Sequence, residues 1–249
     1  MTTSIQLTDV SKRFRLNLGS SFLARMIANR LRGKGPRVRE HWALRDINLK
    51  IESGESVGVI GHNGSGKTTL LSLIAGTMYP TSGDLQVQGR IGSLLELGAG
   101  FHPDLNGIEN IYLNASLLGL QRDEVDEHIQ SIIEFADIGD HIEAPLNTYS
   151  SGMYARLGFA VIAHIDPDIL LIDEVFAVGD ATFTEKSEKA IHDFLDRGRT
   201  FLLVSHGIDQ VQRMCNRAIW IDHGHVRGDG PAPEVCQQYI EALHAAAAN

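Results

Sequence analysis

The spacing of apolar residues changes along the chain, and each change marks a different kind of element. "SIQLTDV" at 4–10 alternates polar and apolar positions as a strand does, and "ALRDINLKI" at 43–51 and "SVGVI" at 56–60 are strand-like as well. The last of these runs into a helix-like "GKTTLLSLIAG" at 66–76, after which "PTSGD" turns the chain into "LQVQG" and "IGSLLE". From about 106 to 165 the period lengthens. Ile108, Ile111, Tyr112 and Leu118 recur at helical spacing, as do Val125, Ile129, Ile132 and Ile133. Continuous apolar strands then return in "DILLID", "TFLLVS" and "RAIWID", the kind buried between helices. The pattern predicts an α/β fold: a mostly parallel sheet with helices on both faces, a strand-rich beginning and an inserted helical subdomain.

The 249 residues, 43% of them hydrophobic, suffice for one large domain, and neither an internal repeat nor a low-complexity linker divides them. No apolar run approaches the roughly 18 residues needed to cross a bilayer, and the first residues lack the features of a secretory signal. A cytoplasmic chain is expected. Cys215 and Cys236 have no paired or metal-ligand spacing, and "DHGH" at 222–225 reads as a hairpin turn rather than a ligand pair. The net charge of −9 is unevenly spread: residues 1–50 hold 11 of the 22 basic side chains and only three acidic ones. One basic segment on an acidic chain argues against nucleic acid and for an anionic membrane surface or a partner. Within residues 20–39, Phe22, Leu23, Met26, Ile27 and Leu31 recur at helical spacing beside six basic side chains. That is the pattern of an amphipathic helix lying on an inner leaflet, although an ordinary surface helix packed on the domain would share the stripe.

The chemistry begins at "GHNGSGKT", 61–68, which fits the phosphate-loop pattern G-x-x-x-x-G-K-[ST] between an apolar strand and a helix. Gly61, Gly64 and Gly66, with Asn63 and Ser65 between them, would bring backbone N–H groups around phosphate oxygens at a helix N-terminus. Lys67 would reach the β- and γ-phosphates, and Thr68, followed by Thr69, would ligate Mg²⁺. "ILLIDE" ends a buried strand in two carboxylates: Asp173 to hold the metal, Glu174 to orient or deprotonate water. "TFLLVSH" delivers His206 at a strand's carboxyl end, where ligands collect in open parallel sheets. Ser150, Ser151 and Gly152 in "YSSGM" open a helix with a hydroxyl and free N–H groups suited to a γ-phosphate, or simply to a cap.

The order phosphate loop, helical insertion, "YSSGM", "ILLIDE", "AVGD", "VSH" resembles the ATP-binding-cassette ATPases over essentially the whole chain. The resemblance implies a head-to-tail dimer in which the serine-glycine signature of one subunit closes over ATP and Mg²⁺ on the other. The signature departs from the usual leucine-serine-glycine-glycine-glutamine at Tyr149, Ser151 and Met153. Glu96 stands where most members carry a metal-site glutamine. "LLELGAGFHP", "YSSGMYARL" and "IDEVFAVGDA" closely resemble the ATPase subunits of bacterial polysaccharide exporters, which move O-antigen, capsule or teichoic-acid chains. The likeness implies catalytic roles for Lys67, Glu174 and His206, metal ligands in Thr68, Glu96 and Asp173, and an aromatic platform for adenine, Phe14 ahead of Trp42. It further implies a separate membrane permease and a peripheral place on the cytoplasmic face of the inner membrane. The expected layout is an ATPase core at about 1–96 and 166–249, a helical signature subdomain at about 97–165, and no C-terminal carbohydrate-binding domain. The alternatives are a cassette for another exported lipid or drug, and a soluble non-transport cassette ATPase.

Overall fold

The computed structural model describes residues 3–17, 38–94, 100–173, 181–205 and 207–247. Glu96, Glu174, His206 and nearly all of the basic segment at 20–39 lie outside the described residues.

Two sheets stack on one another. The first is antiparallel, in the order β2 (Val38–Glu52), β1 (Thr3–Asn17), β4 (Ser82–Val87). β1 and β2 are longer than their apolar patterns predict, pairing from Thr3 opposite Glu52 out to Asn17 opposite Val38. The outer half of this ribbon is polar: an Arg13–Glu40 ion pair at 2.9 Å and rings stacked under cations stand where a core would give alternation. Positive φ at Asp9 and Asp46 accompanies shifts in register, the mark of bulges that turn the ribbon.

The second sheet has the order β5 (Ile91–Leu94), β6 (Ile169–Ile172), β7 (Thr200–Val204), β3 (Ser56–Ile60), β8 (Arg217–Asp222), β9 (His225–Pro231), parallel except for the β8–β9 hairpin. Every residue of β3, β6 and β7 is buried, which is why their sequences carry no polar alternation. Because these strands run parallel, whatever follows each of them emerges on the same edge of the sheet.

One core fills the space between the sheets and takes Leu70, Leu71, Leu73 and Ile74 from helix α1 (Lys67–Ile74). A second, on the opposite face, gathers Phe159 of α4 (Ser151–Ile165), Phe183 and Phe194 of α5 (Ala181–Asp196), Val211 of α6 (Ile208–Met214) and Val235 of α7 (Ala232–Ala247). The helices α2 (Gly107–Leu117) and α3 (Arg122–Ala136) close a third cluster with α4, built on Ile111, Val125, Ile132 and Leu157. α2 starts where the sequence places it, because Asn106 and Glu109 cap each other's backbone N–H groups at 2.8 and 2.9 Å. Helix α4 belongs to both the second and third clusters, so the signature at its N-terminus is tied to the sheet through its own buried face.

Candidate functional site

The turn from β3 into α1 is built from backbone contacts that side chains would obstruct. Gly61 has φ +149°, and a Cβ there would stand 2.1 Å from the Ile221 carbonyl oxygen; at Gly66, φ +117°, it would stand 2.5 Å from that of Ala43. Gly66 caps α1 without a side-chain hydrogen bond, and the first intrahelical bond of this end runs from Leu70 N–H to the Gly66 carbonyl. This end of the helix, with its dipole behind it, favours an anion.

Lys67 is buried, 5% exposed, and its ammonium donates to the carbonyls of Gly61 at 2.9 Å and His62 at 3.2 Å. These bonds fold the loop around the charge that it presents. From the end of β6, two strands away across β7, Asp173 brings Oδ2 to 3.4 Å from the Thr68 hydroxyl. A hydroxyl and a buried carboxylate side by side are hard oxygen donors, the donor set that Mg²⁺ takes, so the residues present fit that ion.

A cavity of about 460 Å³ opens over this edge. Asn63, Gly64, Gly66, Lys67, Thr68, Thr69 and Asp173 line it together with Phe14, His41 and Ala43. Size and composition suit a nucleotide, with phosphates at the glycine loop and a flat apolar group by the ring. The structure separates the two aromatic candidates: Phe14 lines the cavity, whereas Trp42 pairs with Arg13 on the neighbouring register position and is held between the guanidiniums of Arg13 and Arg45, at 5.2 and 5.6 Å. His41, opposite Phe14 in the ladder, carries no motif of its own and became visible only through that pairing.

The signature lies apart from this cavity. Ser150 is the N-cap of α4, its hydroxyl accepting from Met153 N–H at 3.2 Å, and it is exposed. Ser151 has no left-handed backbone and simply begins the helix, so its Cβ is accommodated where glycine is customary. A Cβ at Gly152 would meet nothing nearer than Ser150 Oγ at 3.8 Å, which leaves open space over the helix end. Tyr149 packs against the third cluster and donates its hydroxyl to the His141 carbonyl at 2.7 Å, while burial raises its pKa above the ordinary 10.0. Its hydroxyl thus finds a partner that leucine would not need.

Residues 44–177 match the family model described as ABC transporter. The chain is 54% identical to the O-antigen export system ATP-binding protein RfbB of Myxococcus xanthus over 83% of its own length and 47% of that relative's, so it spans about half of that protein. It is 49% identical to the protein of the same description from Klebsiella pneumoniae, covering 82% of this chain and 83% of that one. The teichoic acids export ATP-binding protein TagH of Listeria innocua is 46% identical over 84% of this chain and 62% of its own length. Among solved structures, a dimeric post-hydrolysis state of the ATP-binding cassette MJ0796 bound to ADP and Pi superposes with a TM-score of 0.74 at 21% identity, over 92% of this chain and 98% of that one. An ATP-binding subunit of an ABC transporter gives 0.77 at 18% identity, over 98% and 99%. The fold is that of the ATP-binding cassettes, and the chain belongs to the ABC transporter family.

Proposed function

We propose that the chain is the ATP-hydrolysing subunit of an exporter of lipid-linked polysaccharide. The observation that carries this reading is the meeting of Lys67, Thr68 and Asp173 on one sheet edge, under a nucleotide-sized cavity that Phe14 also lines. Phe14 stacks on the base; Gly61, Asn63, Gly64, Ser65 and Gly66 shape the backbone around the phosphates; Lys67 and the first turn of α1, Thr68 and Thr69 included, neutralise them. Thr68 and Asp173, with Glu96 from outside the described residues, would hold Mg²⁺, which would supply positive charge to the phosphates. Glu174 and His206, both outside the described residues, are assigned by the motif order alone: Glu174 to orient water and take its proton, His206 to contact the γ-phosphate.

One cavity without the signature is half a site. Ser150, Ser151 and Gly152 present the open end of α4 to the phosphates held by a second copy, which completes each site on ATP binding. The dimeric state described for the MJ0796 cassette supports this arrangement. An ATPase core at about 1–96 and 166–249 holds the nucleotide, and a helical unit at about 97–165, with its own apolar cluster, carries the signature. Closure and reopening of the dimer drive a separate permease.

The cargo is read from the O-antigen and teichoic-acid exporters that are 46–54% identical to this chain. Among the described residues no helix is long and apolar enough to cross a membrane, and the proposed place is peripheral, on the cytoplasmic face of the inner membrane with the basic segment at 20–39 against the leaflet. Purification from detergent-solubilised membranes tests the proposal. A polytopic permease should accompany the chain, and deleting the chain should leave polysaccharide inside the cell. Recovery without any membrane protein, together with normal surface polysaccharide in the deletion, overturns the export role.

A further inference from the structure

Outside the nucleotide cavity, the fold brings together three groups that the sequence keeps 160 residues apart: His62 in the phosphate loop, and Asp222 and His223 at the β8–β9 turn. One ligand atom from each lies within 4.8 Å of the others. His62 Nδ1 stands 2.7 Å from the Asn63 carbonyl oxygen. A carbonyl can only accept, so Nδ1 carries a proton and Nε2 is the ring nitrogen left to face other groups. That Nε2 is buried and has no hydrogen bond, yet Asp222 Oδ1 lies only 3.1 Å away. A contact of this length is held either by a second ring proton, as an ion pair, or by a cation that takes the Nε2 lone pair and Oδ1 together.

We propose that His62, Asp222 and His223 bind a borderline divalent cation of the Zn²⁺ class, which ties the phosphate loop to the β8–β9 turn. Two imidazoles and one carboxylate are the donor set for such an ion, and they differ from the all-oxygen pair Thr68 and Asp173. Ligands about 2.05 Å from a tetrahedral ion lie about 3.3 Å apart, and the His62–Asp222 pair is already at 3.1 Å. His223 Nε2 is 3.9 Å from Asp222 Oδ1, all three ligand atoms lie within 4.8 Å of one another, and the His223 side chain, 79% exposed, has room to swing in toward the other two. Arg227 Nε approaches Asp222 Oδ2 at 3.5 Å and leaves Oδ1 to the site.

The backbone supporting the three groups is fixed. Gly224 N–H donates to the Ser65 carbonyl at 2.9 Å, and Arg45 N–H donates to the Gly224 carbonyl at 2.8 Å. His223 and Gly224 have φ of +47° and +79°, a two-residue turn with both centres left-handed, which sets the direction of the His223 side chain. A cation bound here bridges the two ends of that contact. The fourth position of the ion remains for water.

Zn²⁺ titration of the purified full chain, nucleotide-free and in excess Mg²⁺, against a chromophoric chelator tests the proposal. One Zn²⁺ per chain should bind, and His223→Asn, which keeps a residue tolerant of the left-handed turn, should weaken it at least tenfold. The variant's Zn²⁺-free melting temperature and ATPase activity should match the parent's. Co²⁺ should give the parent a visible absorption band that His62→Gln removes. Equal Zn²⁺ titrations of parent and His223→Asn, or a Co²⁺ band unchanged in His62→Gln, overturns the site.

Discussion

Replacing Gly66 by alanine tests how the phosphate loop is held against β2. The new Cβ falls 2.5 Å from the Ala43 carbonyl oxygen and 2.8 Å from Leu44 Cδ2, on a backbone at φ +117°. The backbone conformation alone costs about 1–3 kcal/mol, and forcing β2 away adds about 1–3 kcal/mol. Together that is about 2–6 kcal/mol. At about 2–4 °C per kcal/mol for a chain of this size, the melting temperature should fall by at least about 4 °C. Gly64→Ala is the control: φ is +78° there and a Cβ would meet nothing within 4 Å, so only the left-handed cost of about 1–2 kcal/mol applies. Thermal unfolding followed by circular dichroism, with binding of a fluorescent nucleotide to the same samples, separates the two. Gly66→Ala should melt well below Gly64→Ala and lose nucleotide affinity. Equal melting temperatures for the two variants would refute the close approach of loop and strand.

Phe14→Ala should lose about 1–3 kcal/mol of stacking and weaken ATP binding about 5- to 150-fold, whereas Trp42→Ala should leave affinity near the parent's; the reverse order in a calorimetric titration would exchange their roles. Burial, reinforced by the nearby charges of His128 and Lys186, lowers the His164 pKa from 6.5, although its bond to the Ala160 carbonyl opposes the shift. Its contribution to stability is therefore complete above pH 6.5 and is lost as pH falls through the lower folded value. Urea unfolding should show a larger loss between pH 7.5 and 5.5 for the parent than for His164→Gln, and parallel curves would exclude this group as the cause. Ser150→Ala removes a cap worth about 1 kcal/mol and should impair turnover while leaving one subunit's nucleotide affinity nearly intact. Mixed with Lys67→Ala, it should regain part of the activity through one composite site, and no recovery in verified mixed dimers would count against an across-subunit role.

The parallel sheet was legible because β3, β6 and β7 are buried on both faces and therefore carry unbroken apolar runs. Lys67, Thr68 and Asp173 were legible for a related reason: each follows or faces such a strand at its carboxyl edge. The outer halves of β1 and β2 were not. Their order comes from a cross-strand ion pair and cation–π contacts, such as Arg13 with Glu40 and Trp42, which leave no hydrophobic period in one strand alone. Which of Phe14 and Trp42 lines the cavity needed the ladder register, since neighbouring positions point to opposite faces. The cluster of His62, Asp222 and His223 had no local signal at all, because its spacing exists only once the hairpin folds onto the loop, and "DHGH" read alone is a turn.

Glu174→Gln offers a test of ATP-driven pairing. The amide keeps the shape of the carboxylate but cannot accept a proton from water, so binding should persist while hydrolysis stops. With ATP and Mg²⁺, the variant should elute from a sizing column as a nucleotide-filled dimer, and without ATP as a monomer. A variant that remains monomeric with ATP bound, or that hydrolyses ATP at the parent's rate, contradicts a cassette that closes on ATP as a dimer and reopens through Glu174.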